Sequence, residues 1–170
     1  LMNSYRDAAE LIANYYQKED VVNNTEKFSQ IMVEAFNKGG KSLIFGNGGS
    51  TCDALHFSEE FTGRYRKDRR PLPVMAIAES SHITCIANDF GYEEVFNRGV
   101  QAFAKPEDVI IGISTSGNSE NVIRALNSAK QIGATTVGIL GKDGGKLAGQ
   151  TDIEFIVPGK TADRIQEVHM

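Results

Sequence analysis

The sequence predicts an α/β fold: a five-stranded parallel sheet, doubly wound into an αβα sandwich, preceded by two helices. Three observations predict it. Five apolar runs of strand length recur along the chain, Ser42–Phe45, Val74–Ala78, Val109–Ile113, Thr136–Leu140 and Ile153–Val157, and continuous apolar strands belong to a sheet covered on both faces. Amphipathic stretches of helix length separate them, Thr51–Thr62, Ser81–Ala87 with Tyr92–Ala104, and Glu120–Gln131. The 17 glycines and only 4 prolines suit tight strand-to-helix loops.

In chain order, Ala8, Ala9, Leu11, Ile12, Tyr15 and Tyr16 recur at helical spacing. A second run, Phe28, Ile31, Met32, Ala35 and Phe36, stops at Gly39-Gly40, a usual helix terminator. Both helices carry more apolar surface than one small sandwich needs, which predicts contact with further copies of the chain. Residues 1–38 are therefore expected as N-terminal helices and 41–158 as the sandwich core. Residues 161–170 are expected as the start of a C-terminal helix with Thr161 as N-cap, all within one domain of 170 residues. No Gly or Pro stop follows Ala162, so this helix is expected to continue beyond Met170. Leu1, ahead of Met2, reads as an added residue.

Composition excludes several classes. Hydrophobic residues are 41% and charged residues 24%, as in an ordinary globular protein. No run of 18 apolar residues exists to span a membrane, and the polar, acidic start does not resemble a signal peptide, so a cytoplasmic protein is expected. A net charge of −4 argues against a general nucleic-acid surface. Cys52 and Cys85 are too few for a disulfide framework or a zinc finger and read as reduced, buried, small apolar residues.

Ligands of doubly wound sheets bind beyond the carboxyl ends of the strands. After the first strand comes Gly46-Asn47-Gly48-Gly49-Ser50, either an anion-binding helix start or a tight turn with Ser50 as N-cap. It is neither a Walker loop nor a dinucleotide fingerprint. After the third strand, Ser114-Thr115-Ser116-Gly117-Asn118-Ser119 brings four hydroxyls to a helix start. That is a neutral cradle suited to a monophosphate, whereas a nucleoside triphosphate would call for Lys and a magnesium carboxylate. His56 and Glu60, four residues apart, point to one side of a helix. They could share a metal, pair a general base with an orienting imidazole, or make a surface contact. Asn88-Asp89 precedes Gly91 as a turn or a ligand contact, and Arg64, Arg66, Arg69 and Arg70 form a basic stretch in which Arg64 is a candidate phosphate contact.

Together with His56-Phe57-Ser58-Glu59-Glu60, Thr62-Gly63-Arg64-Tyr65, Gly141-Lys142-Asp143-Gly144-Gly145 and Ala162-Asp163-Arg164-Ile165-Gln166-Glu167, these motifs in this order resemble the sugar isomerase (SIS) domain family, and within it the phosphoheptose isomerases. The resemblance runs from about Ala8 to the last residue. It implies flavodoxin-like strand order and a homotetramer with active sites between subunits. The implied reaction makes D-glycero-D-manno-heptose 7-phosphate from sedoheptulose 7-phosphate, toward ADP-heptose for lipopolysaccharide or capsule. By match, Asn47, Gly48, Gly49, Asn88, Asp89, Ser114, Thr115, Ser116, Ser119 and Gln166 would hold the substrate. His56, Glu60 and Gln166 would be zinc ligands, one ion per subunit, and Glu60 an acid/base residue. The family's fourth ligand and second acid/base group, a histidine eight residues after the glutamine, falls at position 174. His169 is no obvious substitute, because three residues from Gln166 is a rotation of about 300° whereas eight residues gives about 80°. A relative with the same fold, the DnaA initiator-associating protein, lacks the glutamate of the His-x-x-x-Glu pair and has arginine where this chain has Ser116. Both positions therefore favour an enzyme over a non-catalytic regulator.

Overall fold

A computed structural model describes residues 2–169. Two helices, α1 (Met2–Tyr16) and α2 (Glu19–Asn37), precede β1 (Ser42–Gly46), α3 (Gly49–Thr62), β2 (Val74–Ala76), α4 (Ser80–Phe90) and α5 (Asn97–Phe103). The chain continues through β3 (Val109–Ser114), α6 (Glu120–Ile132), β4 (Thr135–Gly141), β5 (Ile153–Val157) and α7 (Ala162–His169). The strands form one parallel sheet in the order β2-β1-β3-β4-β5, the expected flavodoxin-like arrangement. Strand β2 is shorter than expected. As an edge strand it pairs with β1 over Val74–Ala76, and the ladder extends by one bond at each end, the Ser42 amide donating to the Pro73 carbonyl and the Ile77 amide to the Ile44 carbonyl.

Alternation along the strands feeds two cores. Leu43, Phe45 and Ile110 face α4, α5 and α6, where they meet Ile86, Val100, Val122 and Leu126. Ile44, Ile111, Ile113 and Val137 face α2 and α3, meeting Met32, Phe36 and Ala54. Gly112 in β3 leaves room for this packing, because a Cβ there would come within 2.8 Å of Leu126 and Val122. A third cluster joins Leu11 and Tyr15 of α1 and Val21 of α2 to Val157, Ile165 and Val168.

Two expectations need correction. Cys52 and Cys85 are exposed. The buried side of α3 is Ser50, Asp53 and Ala54, and that of α4 is centred on Ile86, so each cysteine lies off the inward stripe. The N-cap of α3 is Gly48, with φ of 57°, while Ser50 is buried inside the first turn.

Asp108 ties the amino-terminal ends of β1 and β3 together from a site only 1% exposed. It accepts the Lys41 amide at 2.9 Å, the Lys41 ammonium at 2.6 Å and the Lys105 amide at 2.8 Å. Replacing Asp108 with Ala leaves all three donors unpaired and is expected to cost about 3–5 kcal/mol, read as a lowered urea midpoint.

Candidate active site

The strand order reverses between β1 and β3, so the loops that follow them flank the switch point. Gly46 lies beside Ile113 in the parallel register, and the two loops leave the sheet side by side. Side chains then join them. Asn47 Nδ2 donates to Asn121 Oδ1 at 2.9 Å, and Asn121 Nδ2 donates back to Asn47 Oδ1 at 2.8 Å. The Tyr92 hydroxyl also donates to Asn47 Oδ1, at 3.0 Å. A cavity of about 380 Å³ opens here, lined by Asn47, Tyr92, Glu93, Ser119, Asn121 and Arg124.

The Ser114–Ser119 loop is held in a single shape. The Ser114 and Ser119 hydroxyls lie 2.9 Å apart, and the Asn118 amide donates to Ser116 Oγ at 3.2 Å. The Asn118 side chain works as a clip. Its Nδ2 donates to the Ser116 carbonyl, and its Oδ1 accepts the Lys146 amide from the Gly141–Gly145 motif. That motif presses so closely on the loop that a Cβ on Gly117, whose φ is +63°, would fall 1.8 Å from the Gly144 carbonyl oxygen. Ser119 precedes α6 without capping it through its side chain. The Glu120 and Asn121 amides therefore have no protein acceptor among the described residues, and an anion can take them.

A second group lines one face of α3, where Gly49, Asp53, His56 and Glu60 follow each other at helical spacing. Gln166 of α7 covers the first of them: a Cβ on Gly49 would lie 2.4 Å from Gln166 Nε2, which is 3.5 Å from Ser50 Oγ. Further along, His56 Nε2 stands 3.3 Å from Glu60 Oε1 and 3.9 Å from Glu59 Oε1. Ligand atoms of His56, Glu59 and Glu60 all lie within 4.8 Å of one another. Imidazole with carboxylates is a donor set that suits zinc. Asp53, His56 and Glu60 line a cavity of about 460 Å³ with Tyr65, Arg69 and His169, against an apolar wall that includes Ile44, Ile113 and Ile139.

The structure thus brings Asn47, Gly48, Gly49, Ser114, Thr115, Ser116, Ser119 and Gln166 to one end of the sheet, with His56 and Glu60 further down α3. Gln166 rests on Gly49 and Ser50 in this chain, a turn and more from His56. Asn88 and Asp89 are exposed at the end of α4, where Asn88 Nδ2 donates to Asp89 Oδ1. Arg64 is exposed, Arg66 stacks on Tyr65, and Arg69 folds back to donate to the Glu60 and Phe61 carbonyls.

Asp53 and the pairing of Asn47 with Asn121 and Tyr92 escaped the sequence reading. Spacing alone marks Asp53, three residues before His56, but the other contacts span 74 and 45 residues. His169 Nε2 donates to the Leu140 carbonyl at 3.0 Å, while its Nδ1 is buried without a partner; burial pushes its pKa down, against the pull of that bond. Asp53 Oδ2 is likewise buried and unpartnered. Burial raises the Asp53 pKa, with His56 pulling the other way. A raised native pKa gives stability that is full below the unfolded value and is lost as pH rises through the native one. In metal-chelated protein, Asp53→Asn is therefore expected to be at least as stable as the parent at pH 7. That advantage should vanish in urea titrations as pH falls toward the ordinary carboxylate value of 3.8.

The SIS domain family matches residues 4–141. The chain is 56% identical over 170 residues to a phosphoheptose isomerase of Fusobacterium nucleatum, covering 100% of this chain and 88% of the relative. It is 48% identical over 171 residues to one of Klebsiella pneumoniae, covering 100% and 89%. The structure of phosphoheptose isomerase GmhA from Neisseria gonorrhoeae superposes with a TM-score of 0.91 at 34% identity, over 99% of this chain and 89% of that one. A phosphoheptose isomerase from Francisella tularensis also gives 0.91, at 29% identity, over 99% and 90%.

Proposed function

The chain belongs to the SIS domain family, and from that premise we propose that it is an aldose–ketose isomerase converting sedoheptulose 7-phosphate to D-glycero-D-manno-heptose 7-phosphate. The observation that carries the reading is the match of the whole chain, at 56% identity, to a protein named phosphoheptose isomerase. The geometry supports it, because a neutral cradle of hydroxyls and free amides fits a phosphate monoester and a carboxylate stands beside an imidazole on the helix that leaves the neighbouring loop.

In this reading Ser114, Thr115, Ser116 and Ser119 hold the phosphate, with the first amides of α6. Asn47, Gly48, Gly49, Asn88, Asp89 and Gln166 hold the sugar. Glu60 takes a proton from C1 of the ketose and returns it to C2, through an enediol, while a hydroxyl proton passes between the two oxygens. Atoms and electrons balance within the one molecule. His56 orients the Glu60 carboxylate. His56 and Glu60 would hold zinc with Gln166 of a neighbouring copy, since this chain's own Gln166 rests on Gly49 and Ser50, and zinc when bound would polarise carbonyl and hydroxyl oxygens.

Gly49 and Glu60 are about 16 Å apart along α3 at roughly 1.5 Å per residue. A heptose 7-phosphate spans about 10 Å from C1 to phosphorus, taking roughly 1.2 Å per extended bond. The separation favours active sites completed by a neighbouring copy, in a homotetramer. Met2, Tyr5, Ile12 and Tyr16 on α1, and Val22 and Val33 on α2, are exposed apolar residues available for such contacts. The product would feed ADP-heptose synthesis in the cytoplasm; among the described residues no helix is long and apolar enough to cross a membrane. The alternative of a non-catalytic regulator is not favoured, since Glu60 and Ser116 are both present and the full-length relatives named above are isomerases.

The test is incubation with sedoheptulose 7-phosphate, following aldose formation by NMR. Turnover is expected, and its absence would remove the reading. Glu60→Gln, nearly isosteric, is expected to lower kcat by roughly 10²–10⁴-fold with the fold intact by circular dichroism. Sedimentation is expected to show a tetramer at micromolar concentration; a monomer would count against shared sites.

A further inference from the structure

We infer that Asn121 is a positioning residue that fixes which end of the Asn47 amide faces the substrate. This rests on the reading of Asn47 as a substrate contact. Asn121 is only 3% exposed, in the first turn of α6, and touches Asn47 through a reciprocal amide pair. Its orientation is set by the backbone. The Val122 amide, which can only donate, gives its hydrogen to Asn121 Oδ1 at 2.9 Å. That atom must therefore be the oxygen, and Asn121 Nδ2 must face Asn47. The atom of Asn47 opposite Nδ2 must then be its own oxygen, so the Tyr92 hydroxyl donates to it.

One main-chain N–H thus propagates polarity through two side chains. Both lone pairs of Asn47 Oδ1 are taken, by Asn121 and by Tyr92. One N–H of Asn47 Nδ2 goes to Asn121 Oδ1, and the other is left over. Asn47 can offer a ligand only a donor, and so selects an oxygen acceptor such as a sugar hydroxyl or phosphate oxygen. The same pair joins the loop after β1 to the helix that follows the phosphate cradle.

Asn121→Asp tests this with little change of shape. The carboxylate still accepts the Val122 amide, but it sets an oxygen against Asn47 Oδ1. In either orientation of Asn47 one of the two amide bonds is lost and an oxygen faces an oxygen, so the Asn47 amide is no longer held with its free N–H toward the ligand. The KM for sedoheptulose 7-phosphate is expected to rise about tenfold while kcat stays within about threefold, with the melting temperature of the parent. Asn47→Ala is expected to raise KM similarly, and the double variant to be no worse than Asn47→Ala within about twofold, because Asn121 acts only through Asn47. A wild-type KM for Asn121→Asp would overturn the inference. So would the same fold-loss with and without Asn47, the sign of a merely structural role. A wild-type KM for Asn47→Ala would remove both the substrate role of Asn47 and the inference. Should Asn121→Asp not fold, Asn121→Ser, too short to reach Asn47, is expected to give the same KM rise. Calorimetric affinity for the same sugar phosphate makes these comparisons without turnover, so failure of the isomerase reading is told apart from failure of the inference.

Discussion

The parallel pairing of β1 with β3 is the constraint on which the rest depends. Parallel neighbours cannot be joined by a tight turn, so the chain must cross over the sheet between them, and helices come to cover both faces. Because β2 lies on one side of β1 and β3 on the other, the crossovers diverge. Two loops are left at the divergence with their glycines and hydroxyls adjacent. Asp108 clamps the opposite ends of the same two strands. The pairing is thus secured at one end by a buried carboxylate and used at the other.

The cradle after β3 carries no fixed cation of its own. Its attraction for an anion comes from hydroxyls and main-chain amides whose positions are set by neighbours. Asn118 and the Gly144-Gly145 turn brace the loop from behind, and that bracing is possible only because Gly117 and Gly145 have no side chains at the contact. Donors that need no rearrangement on binding lose little entropy in doing so, which is how a neutral site gains affinity without charge.

The architecture was largely legible in the sequence. Apolar runs marked four strands to within a residue at each end, and the edge strand β2 to within two, because a strand buried on both faces has nowhere to place polar residues. The two loops were legible because glycine and hydroxyl clusters between apolar runs have few other uses. His56 and Glu60 were legible from helical spacing. The cysteines were misplaced because a small residue carries no signal for which side of an amphipathic helix it occupies. Gly48 was missed as the cap because the usual rule looks for a hydroxyl, whereas here the backbone conformation does the work. The link from Asn121 to Asn47 was beyond reach, since only the folded register of two strands brings residues so distant in sequence into hydrogen-bonding range.

Helices α1 and α7 pack directly against each other. Helix α1 buries only Tyr15, and it rests on α7 through Leu11 and Tyr15 against Ile165 and Val168. The Tyr16 hydroxyl reaches the Val168 carbonyl, and Arg164 reaches Ser4. The next residue along the inward side of α7 is Gln166, lying on Gly49. A nick by a protease in the first turns, or a bulky tag fused there, is therefore felt at the mouth of the first ligand loop, although more than thirty residues of chain and a whole strand intervene. The remote end of the polypeptide is a lever on its chemistry.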